Sequence, residues 1–367
     1  MQAARFHAAN DIRVESIPKP PPSSNQVLIE IDWCGICGTD LHEYIAGPIA
    51  IRPHSHPHPL TNTTYPVTLG HEFCGRVVET SPSSSLQVGQ RVMIDPRINC
   101  KDACHSCNHG IDNLCSSWGF LGLHSPTGGG FSQYAAVDAR MCYALPDSVR
   151  MDEAALIEPL AVARHALAVS EIPRGDWPAK SVLVLGGGPI GLAVLWDLRA
   201  VGAKMLFVSE PTEVRSRHTK DLASHVFNPR EVDVAEECRT STDGLGVDVV
   251  FDCAGIQAAL KVGMDALKIR GVYVNVAGWE KEFSVPFGPA MTKELTVKFT
   301  LAYDYKDFQD VVDDFVAGKF EGVEKMITSR IALQDVVTKG FDELINNKDE
   351  HVKILVTPRE DFLAAQT

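Results

Sequence analysis

The chain has 367 residues, of which 45% are hydrophobic and 22% are charged. This length and this hydrophobic fraction are sufficient for two packed domains. Its formal net charge of -13 argues against a nucleic-acid partner, which needs a basic face. The N-terminal stretch lacks the apolar run of a secretory signal, and the longest apolar run, residues 182–196, is too short to span a bilayer. We therefore expect a cytoplasmic protein without a membrane partner, in which the ten cysteines pack, bind metal or act in catalysis.

The first part of the chain, to about residue 150, predicts a small β domain. Its short strand-like runs, separated by Pro and Gly, are VLIEID (27–32), GRVVET (75–80), QRVMI (90–94) and FSQYAAV (131–137). Residues 48–66 hold many prolines and three histidines and predict a long loop. We expect each proline and histidine of residues 53–59 in this loop to be solvated. The alternative is that they line the substrate site.

From about residue 152 the pattern changes to helices that alternate with strands. Residues 151–170 have helical periodicity, and the buried-strand run 181–186 leads into a helix that Gly202 is expected to cap. Further strand-like runs follow at 204–210, 248–255 and 271–278. The alternation predicts an α/β unit with a parallel, doubly wound sheet.

A glycine-rich segment, GGGPIG, begins at Gly186 and fits G-x-G-x-x-G between a predicted strand and a predicted helix. Such glycines let the backbone approach a pyrophosphate at the helix N-terminus. An acid at the end of the next strand holds the ribose hydroxyls of NAD and repels the 2′-phosphate of NADP, a preference that Arg215 and Arg217 could soften. We predict NAD binding by Gly186, Gly188, Pro189, Ile190, Gly191, Glu210 and Arg215. The alternative is a glycine-rich turn without a ligand.

Four cysteines, Cys100, Cys104, Cys107 and Cys115, lie within sixteen residues. Their spacing suits a closed tetrahedral zinc site, which contributes folding energy rather than chemistry. The interspersed His105 and His109 are possible additional ligands, and a cluster of free surface thiols is the alternative.

A second metal site is suggested by Cys37, by His71 and Glu72 in LGHEF, and by Glu158 in LIEPLAV. Each residue alone is a weak signal, and they form one site only if the fold brings them together. Cys34 and Cys37 also have the spacing of a redox pair.

The motifs GICGTDLH, LGHEF, the four-cysteine segment, GGGFSQYAAV and VLVLGGGPIG occur in this order along the chain. In these motifs the chain resembles the medium-chain zinc-dependent alcohol dehydrogenase superfamily. ALIEPLAVARHA and the proline-histidine insert are most similar to the 2,3-butanediol dehydrogenase branch, with sorbitol and polyol dehydrogenases as neighbours. The resemblance implies a groES-like catalytic domain (1–152), a Rossmann NAD-binding domain (153–297), a return to the catalytic domain (298–367), and a homodimer or homotetramer.

The resemblance also implies residue roles and two zinc ions per chain, one of them held by the four cysteines. Cys37 and His71 would bind a catalytic zinc, with Glu72 or Glu158 coordinating directly or through a water. Thr39 and His42 match the family's proton relay, the alternatives being a turn hydroxyl and a surface histidine. Cys34 matches a position that is not a ligand, so we expect it to pack.

The implied reaction is hydride transfer between a hydroxyl-bearing carbon and NAD. The sorbitol branch has an Arg-Tyr pair where this chain has Ala302-Tyr303, and losing the arginine removes a hydrogen-bond fork for a polyhydroxyl chain. This favours a vicinal diol such as butanediol, or its hydroxyketone. Alternatives are a polyol or other secondary-alcohol dehydrogenase, including a threonine dehydrogenase-like enzyme, and a nucleotide-binding relative without redox activity.

Overall fold

The computed structural model describes residues 1–82, 84–279 and 281–364. Within these ranges no helix combines the length and the apolar composition that crossing a membrane requires. The chain divides into two compact units, of which the first comprises residues 1–158 together with those from Ile327 onward, and the second comprises residues 159–326. The sequence predicted that the tail leaves the second domain at residue 298, whereas in the structure residues 298–326 still belong to the second unit.

The strands that the structure describes range from two to ten residues in the first unit and form one regular series in the second. In chain order they are β1 (Gln2–Ala8), β2 (Asp11–Ser16), β3 (Gln26–Gly35), β4 (Val67–Thr68), β5 (Glu72–Glu79), β6 (Arg91–Ile94), β7 (Arg97–Ile98), β8 (Gly119–Phe120), β9 (Tyr134–Asp138), β10 (Cys142–Ala144), β11 (Ser181–Leu185), β12 (Met205–Ser209), β13 (His225–Phe227), β14 (Val247–Asp252), β15 (Leu267–Asn275), β16 (Thr296–Phe299), β17 (Ile327–Ala332) and β18 (Lys353–Thr357).

The α-helices lie mainly in the second unit and at the two ends of the first. In chain order they are α1 (Gly38–Ala46), α2 (His105–Asn108), α3 (Met151–Ala154), α4 (Ile157–Val169), α5 (Pro189–Ala200), α6 (Glu213–Thr219), α7 (Val234–Thr240), α8 (Gln257–Ala266), α9 (Phe287–Thr292), α10 (Tyr305–Val316), α11 (Asp342–Asn346) and α12 (Glu360–Ala364). Single turns of 3₁₀ helix and one π-helical turn connect several of them.

The first unit is built around a mostly antiparallel sheet with the strand order β10-β6-β5-β3-β18-β17, to which β9 adds alongside β3. Strand β3 is central and almost entirely buried. At its end, Gly35 pairs with Glu72 of β5 on one side and with Leu355 of β18 on the other. The register therefore brings together three segments that are far apart in the chain.

The second unit contains a six-stranded, fully parallel sheet with the order β13-β12-β11-β14-β15-β16. Helices connect successive strands, and apolar side chains such as Leu183, Phe207 and Met264 fill the core. The direction of the strand order reverses between β11 and β14. In doubly wound folds, ligands bind at such a reversal. The predicted fold class is confirmed.

The predicted strands are present, and the predicted long loop 48–66 contains no helix or strand. The helical pattern of residues 151–170 is broken into α3 and α4, because Pro159 lacks an amide hydrogen and fits only the first turn of a new helix. Gly202 follows α5 with a φ of +86°, and its N–H donates to the carbonyl of Arg199, as expected of a helix-ending glycine.

The loop 48–66 differs from the prediction at His58, which is buried instead of solvated. Its ring bonds the carbonyl of Trp118 at 3.1 Å and Oγ1 of Thr61 at 3.1 Å, and it packs at a tilt against the ring of His124. His124 in turn bonds the carbonyl of Ala50 at 2.9 Å. The two histidines therefore anchor the loop to the body of the first unit.

Candidate active site

The register of β3 and β5 brings together Cys37, His71 and Glu72. The sulfur of Cys37, a ring nitrogen of His71 and a carboxylate oxygen of Glu72 all lie within 4.8 Å of one another. His71 and Glu72 are buried and Cys37 is half-buried. Sulfur, imidazole and carboxylate donors at this separation fit a zinc ion that keeps an open coordination position.

His71 has a carboxylate neighbour that the sequence reasoning missed. Nδ1 of His71 lies 3.5 Å from Oδ1 of the fully buried Asp40, and neither atom makes a hydrogen bond with the described residues. Although burial lowers the pKa of His71, the charges of Asp40 and Cys37 raise it well above its usual value. The pocket thus favours a positive charge, and an Asp beside a metal-binding histidine would orient the ring.

Glu72 has a second neighbour that the sequence reasoning missed, the buried Lys353. Nζ of Lys353 donates to both carboxylate oxygens of Glu72 at 2.7 Å, and the two side chains are 2% and 1% exposed. Although burial lowers the pKa of Lys353, the charge of Glu72 raises it above its usual value. A Cβ at Gly35 would lie 2.1 Å from Oε2 of Glu72, so only glycine leaves room for this pair.

Glu158, the other candidate carboxylate, lies at the start of α4 and is also buried. It is close enough to Lys353 to raise the pKa of that amine, behind Glu72 and Cys37 in order of effect. It is not part of the compact group of three ligand atoms. The structure therefore brings Glu158 near the group, while Glu72 lies within it.

The two candidate relay residues lie on α1, three residues apart on one face of the helix. Thr39 is half-buried, and its Oγ1 accepts from the thiol of Cys37 at 3.8 Å. His42 is exposed. The pair therefore runs from the metal-ligand group to the surface of the unit.

Cys34 packs in the core beneath the same turn. Its side chain is fully buried, and burial raises the pKa of its thiol well above the usual value. Added Cβ atoms at Gly70 and Gly130 would come within 2.8 and 2.4 Å of its sulfur. The sulfur thus occupies a space lined by glycines.

The four-cysteine segment forms a compact group at the surface of the first unit. The sulfurs of Cys100 and Cys107 are 3.7 Å apart, and those of Cys104 and Cys115 are 4.0 Å apart. Four sulfurs around a zinc at about 2.3 Å would be roughly 3.8 Å apart, so the group fits the ion. The backbone N–H groups of Cys107 and Ser116 lower the pKa of Cys104 to about 6, which favours a thiolate.

The rings of His105 and His109 pack against each other, with their centroids 4.1 Å apart and their planes tilted by 35°. The compact group of four ligand atoms contains the cysteines alone.

The glycine-rich segment of the second unit connects β11 to α5. Gly186 has a φ of +95°, and a Cβ at Gly191 would lie 1.9 Å from the carbonyl oxygen of Gly186. Gly188 caps α5, and Pro189 and Ile190 form its first turn. Because glycine has no side chain, the backbone of the turn and the helix N-terminus are open to a phosphate.

Glu210 follows β12 and turns back to this segment. Its carboxylate accepts from the N–H of Gly187 at 2.7 Å and from the N–H of Thr212 at 2.8 Å. Nη1 of Arg215 lies 3.8 Å from the place of a Cβ on Gly188. Arg217 instead pairs with Glu213 at 2.7 Å on the exposed side of α6.

Comparisons with known proteins agree with this geometry. Residues 23–147 match the alcohol dehydrogenase GroES-like domain, and residues 189–317 match the zinc-binding dehydrogenase domain. The chain is 40% identical over 98% of its length to the (R,R)-butanediol dehydrogenase of Bacillus subtilis (strain 168), all of which it covers. The chain belongs to the zinc-dependent medium-chain alcohol dehydrogenase family.

As a member of this family, the chain is an oxidoreductase that acts on CH–OH donors. A crystal structure of 2R,3R-butanediol dehydrogenase from Bacillus subtilis superimposes with a TM-score of 0.89 at 38% identity, covering 98% of this chain and 99% of that one. The sorbitol dehydrogenase of Bacillus subtilis (strain 168) is 29% identical over 98% of this chain and 97% of its own length. The roles of individual residues remain predictions.

The sequence reasoning missed Asp40 and Lys353 for different reasons. Asp40 stands three residues after Cys37, in the first turn of α1, and its carboxylate accepts from the N–H of Cys37 at 3.0 Å. This spacing at a helix start could have been recognised in the sequence as a capping pattern. For Lys353, the neighbouring residues in the sequence do not indicate that it contacts Glu72. Ala302 has a φ of +50°, and the fully buried Tyr303 packs on Phe308.

Proposed function

We propose that the protein catalyses NAD-dependent oxidation of a vicinal diol such as 2,3-butanediol to its hydroxyketone, and the reverse reduction. The observation that carries this proposal is the 40% identity, over 98% of this chain and the whole of the relative, to a butanediol dehydrogenase. The group formed by Cys37, His71 and Glu72 supports it, because the chain retains a donor set for the metal of this chemistry.

We propose two zinc ions per chain. Cys37, His71 and either Glu72 or Glu158 would hold the first, and the four cysteines would hold the second. The first zinc would supply Lewis acidity, which lowers the pKa of a hydroxyl and polarises a carbonyl. Asp40 would keep Nδ1 of His71 engaged, so that Nε2 faces the metal.

Thr39 and His42 would carry the proton that the substrate hydroxyl releases. The hydroxyl of Thr39 both accepts and donates hydrogen bonds, so it can receive a proton on one side and pass one on. The ring of His42 is exposed, so it can exchange protons with solvent. Their spacing on one face of α1 supports this order.

We propose NAD as the cofactor, with its pyrophosphate at the N-terminus of α5. The carboxylate of Glu210 is buried and is held by two backbone N–H groups, so it cannot swing away easily from a 2′-phosphate. Burying a phosphate beside it would place like charges together, which disfavours NADP.

A polyol dehydrogenase is the second candidate, supported by the 29% identity to a sorbitol dehydrogenase. Against it, Ala302 supplies no guanidinium for a chain of hydroxyls. The weaker similarity and this missing group favour the small diol.

We further propose a cytoplasmic homo-oligomer, dimeric or tetrameric. The ten cysteines form no disulfide, as in a reducing compartment. Strand β16 ends the parallel sheet of the second unit, and Phe299 in it is 57% exposed. An edge strand with an exposed aromatic side chain favours pairing with a second copy.

The test is NADH formation, followed by absorbance, with the stereoisomers of 2,3-butanediol, and with sorbitol, xylitol and threonine. We expect kcat/KM to be highest for one butanediol stereoisomer and at least tenfold lower with NADP. The control is Cys37→Ser, which should be inactive with every substrate. Higher kcat/KM for sorbitol or xylitol would establish the polyol alternative, and zinc-loaded protein inactive with all of them would overturn the proposal.

A further inference from the structure

The second unit contains a cavity of about 420 Å³ that is separate from the glycine-rich turn. Its floor is apolar and consists of Leu192 and Trp196 of α5 with Leu222 and Met326. These four side chains are at most 8% exposed. The volume lies within the range of small-molecule sites, about 300–1,000 Å³.

The turn 318–322 shapes one wall of the cavity. Gly318 and Gly322 have φ values of +77° and +93°, which other residues rarely adopt. A Cβ at Gly322 would lie 3.1 Å from Cη2 of Trp196. The glycine therefore lets the turn approach the indole, and at Gly318 an added Cβ would meet nothing within 4 Å.

The rim of the cavity is cationic, although the whole chain carries a net charge of -13. Arg199, Lys319 and Lys325 contribute three positive charges from two segments, against the negative charges of Asp221 and Glu321. Lys319 also pairs with Asp314 at 2.7 Å, so the attraction for an anion rests on Arg199 and Lys325.

Arg199 is the rim cation best placed to bind an anion. Its Nη1 donates to the carbonyls of Asp221 and Leu222 at 3.2 and 3.3 Å, which orients the guanidinium without neutralising it. In the part of the chain that the structure describes, no carboxylate forms an ion pair with Arg199. Lys325 pairs with Asp221 at 3.1 Å, but both side chains are more than half exposed and can exchange partners with a ligand.

His218 completes the rim as a neutral group, because burial lowers its pKa. Its ring can therefore donate one hydrogen bond and accept another. Arg199 is also distant from the phosphate position. Arg199 comes eleven residues after Gly188 along α5, about 16 Å at the rise of an α-helix.

We propose that this cavity binds a small organic anion, a carboxylate or phosphate group on an apolar body. The anionic group would lie between Arg199 and Lys325, and the apolar body would cover Trp196 and Leu222. This site is additional to the proposed reaction and does not depend on it.

The test uses fluorine-19 NMR of the zinc-loaded protein with saturating NAD, which keeps the dinucleotide site filled. The probes are 4-fluorobenzoate, 4-fluorophenyl phosphate and the neutral 4-fluorobenzamide. We expect line broadening with one or both anions and not with the amide, and no displacement of the anion by 2,3-butanediol. The stronger-binding anion identifies the preferred head group.

Charge-removing variants locate the bound probe. Arg199→Gln and Lys325→Gln should each weaken anion binding, by about tenfold for Arg199, since a charged hydrogen bond is lost. Lys306→Gln, which removes an exposed charge of α10 outside the cavity, is the matched control and should bind as the unaltered chain does. Broadening by neither anion, equal broadening by the amide, displacement by the diol, or unchanged binding in both variants would each overturn the proposal.

Discussion

The buried pair of Glu72 and Lys353 gives the sharpest test of the site. Lys353→Met removes a cation that lies 2.7 Å from both carboxylate oxygens of Glu72, in a place where the two side chains are 2% and 1% exposed. The carboxylate then remains buried without its partner. Breaking one side of such a pair costs about 3–5 kcal/mol, and we expect a loss of this size in the zinc-free protein.

The loss of stability caused by Lys353→Met should depend on the charge of Glu72 and on bound zinc. In the Glu72→Gln background the carboxylate that Lys353 contacts is already neutral, so Lys353→Met should cost far less, with a coupling of roughly 2–3 kcal/mol. With zinc bound beside Glu72, the metal offsets part of the charge that Lys353 leaves behind. Lys353→Met should therefore lower the free energy of unfolding less when zinc is bound than when a chelator has removed it.

The assay is urea denaturation followed by fluorescence and circular dichroism, with zinc and with a chelator. The two units of the chain can unfold separately, so the transitions are fitted individually. Lys339→Met, which breaks an exposed pair with Asp335, is the matched control and should change stability by less than about 1 kcal/mol. A cost of Lys353→Met no larger than that of the control, or additive effects of the two variants, would refute the reasoning.

Three further predictions concern other residues. His42→Ala should lower kcat most at low pH, with unchanged zinc content by metal analysis; a uniform loss across pH would remove His42 from the relay. Cys37→Ser should lose one zinc and all activity, whereas Cys104→Ser should lose the other zinc together with thermal stability; retention of both zincs in either variant would contradict the assignment. Burial, the largest cause, lowers the pKa of His124 to about 4 from 6.5, beside His58 and Arg52. Its stability contribution is therefore complete above pH 6.5 and falls by roughly 3 kcal/mol toward pH 4, so His124→Gln should flatten the pH dependence of urea unfolding in this window.

Much of the fold was readable from local pattern. The alternation of strand and helix after residue 152 predicted the parallel sheet, because each element is long enough to show its own period. The glycine turn before α5 was readable for a similar reason, since strand, turn and helix are contiguous. The end of the second unit was misplaced because α10, which follows β16, has nothing in its sequence that assigns it to one domain or the other.

The candidate metal group was readable only through resemblance. Cys37 and His71 are thirty-four residues apart, and only the pairing of Gly35 with Glu72 explains their proximity. Lys353 could not be predicted from the residues around it. Its position follows from the pairing of β18 with β3, a contact between the two ends of the chain that carries no periodic signal.

The two proposed zinc sites differ in how much of their geometry the protein supplies. Around Cys37 the ligand residues sit at the ends of central, buried strands, and Lys353 already offsets the charge of Glu72. That site should keep its shape when zinc is removed, because strand pairing and the buried ion pair hold it.

The four-cysteine segment has less support of this kind, chiefly the ion pair of Arg97 with Asp112 at 3.0 Å. Cys100, Cys104 and Cys107 are only half-buried, and helix α2 has four residues, too few to be stable alone. Zinc should therefore contribute to the folding of this segment, whereas the fold should prepare the site around Cys37 for zinc. A chelator should accordingly increase amide hydrogen exchange across residues 100–115, while β3 and β5 remain protected.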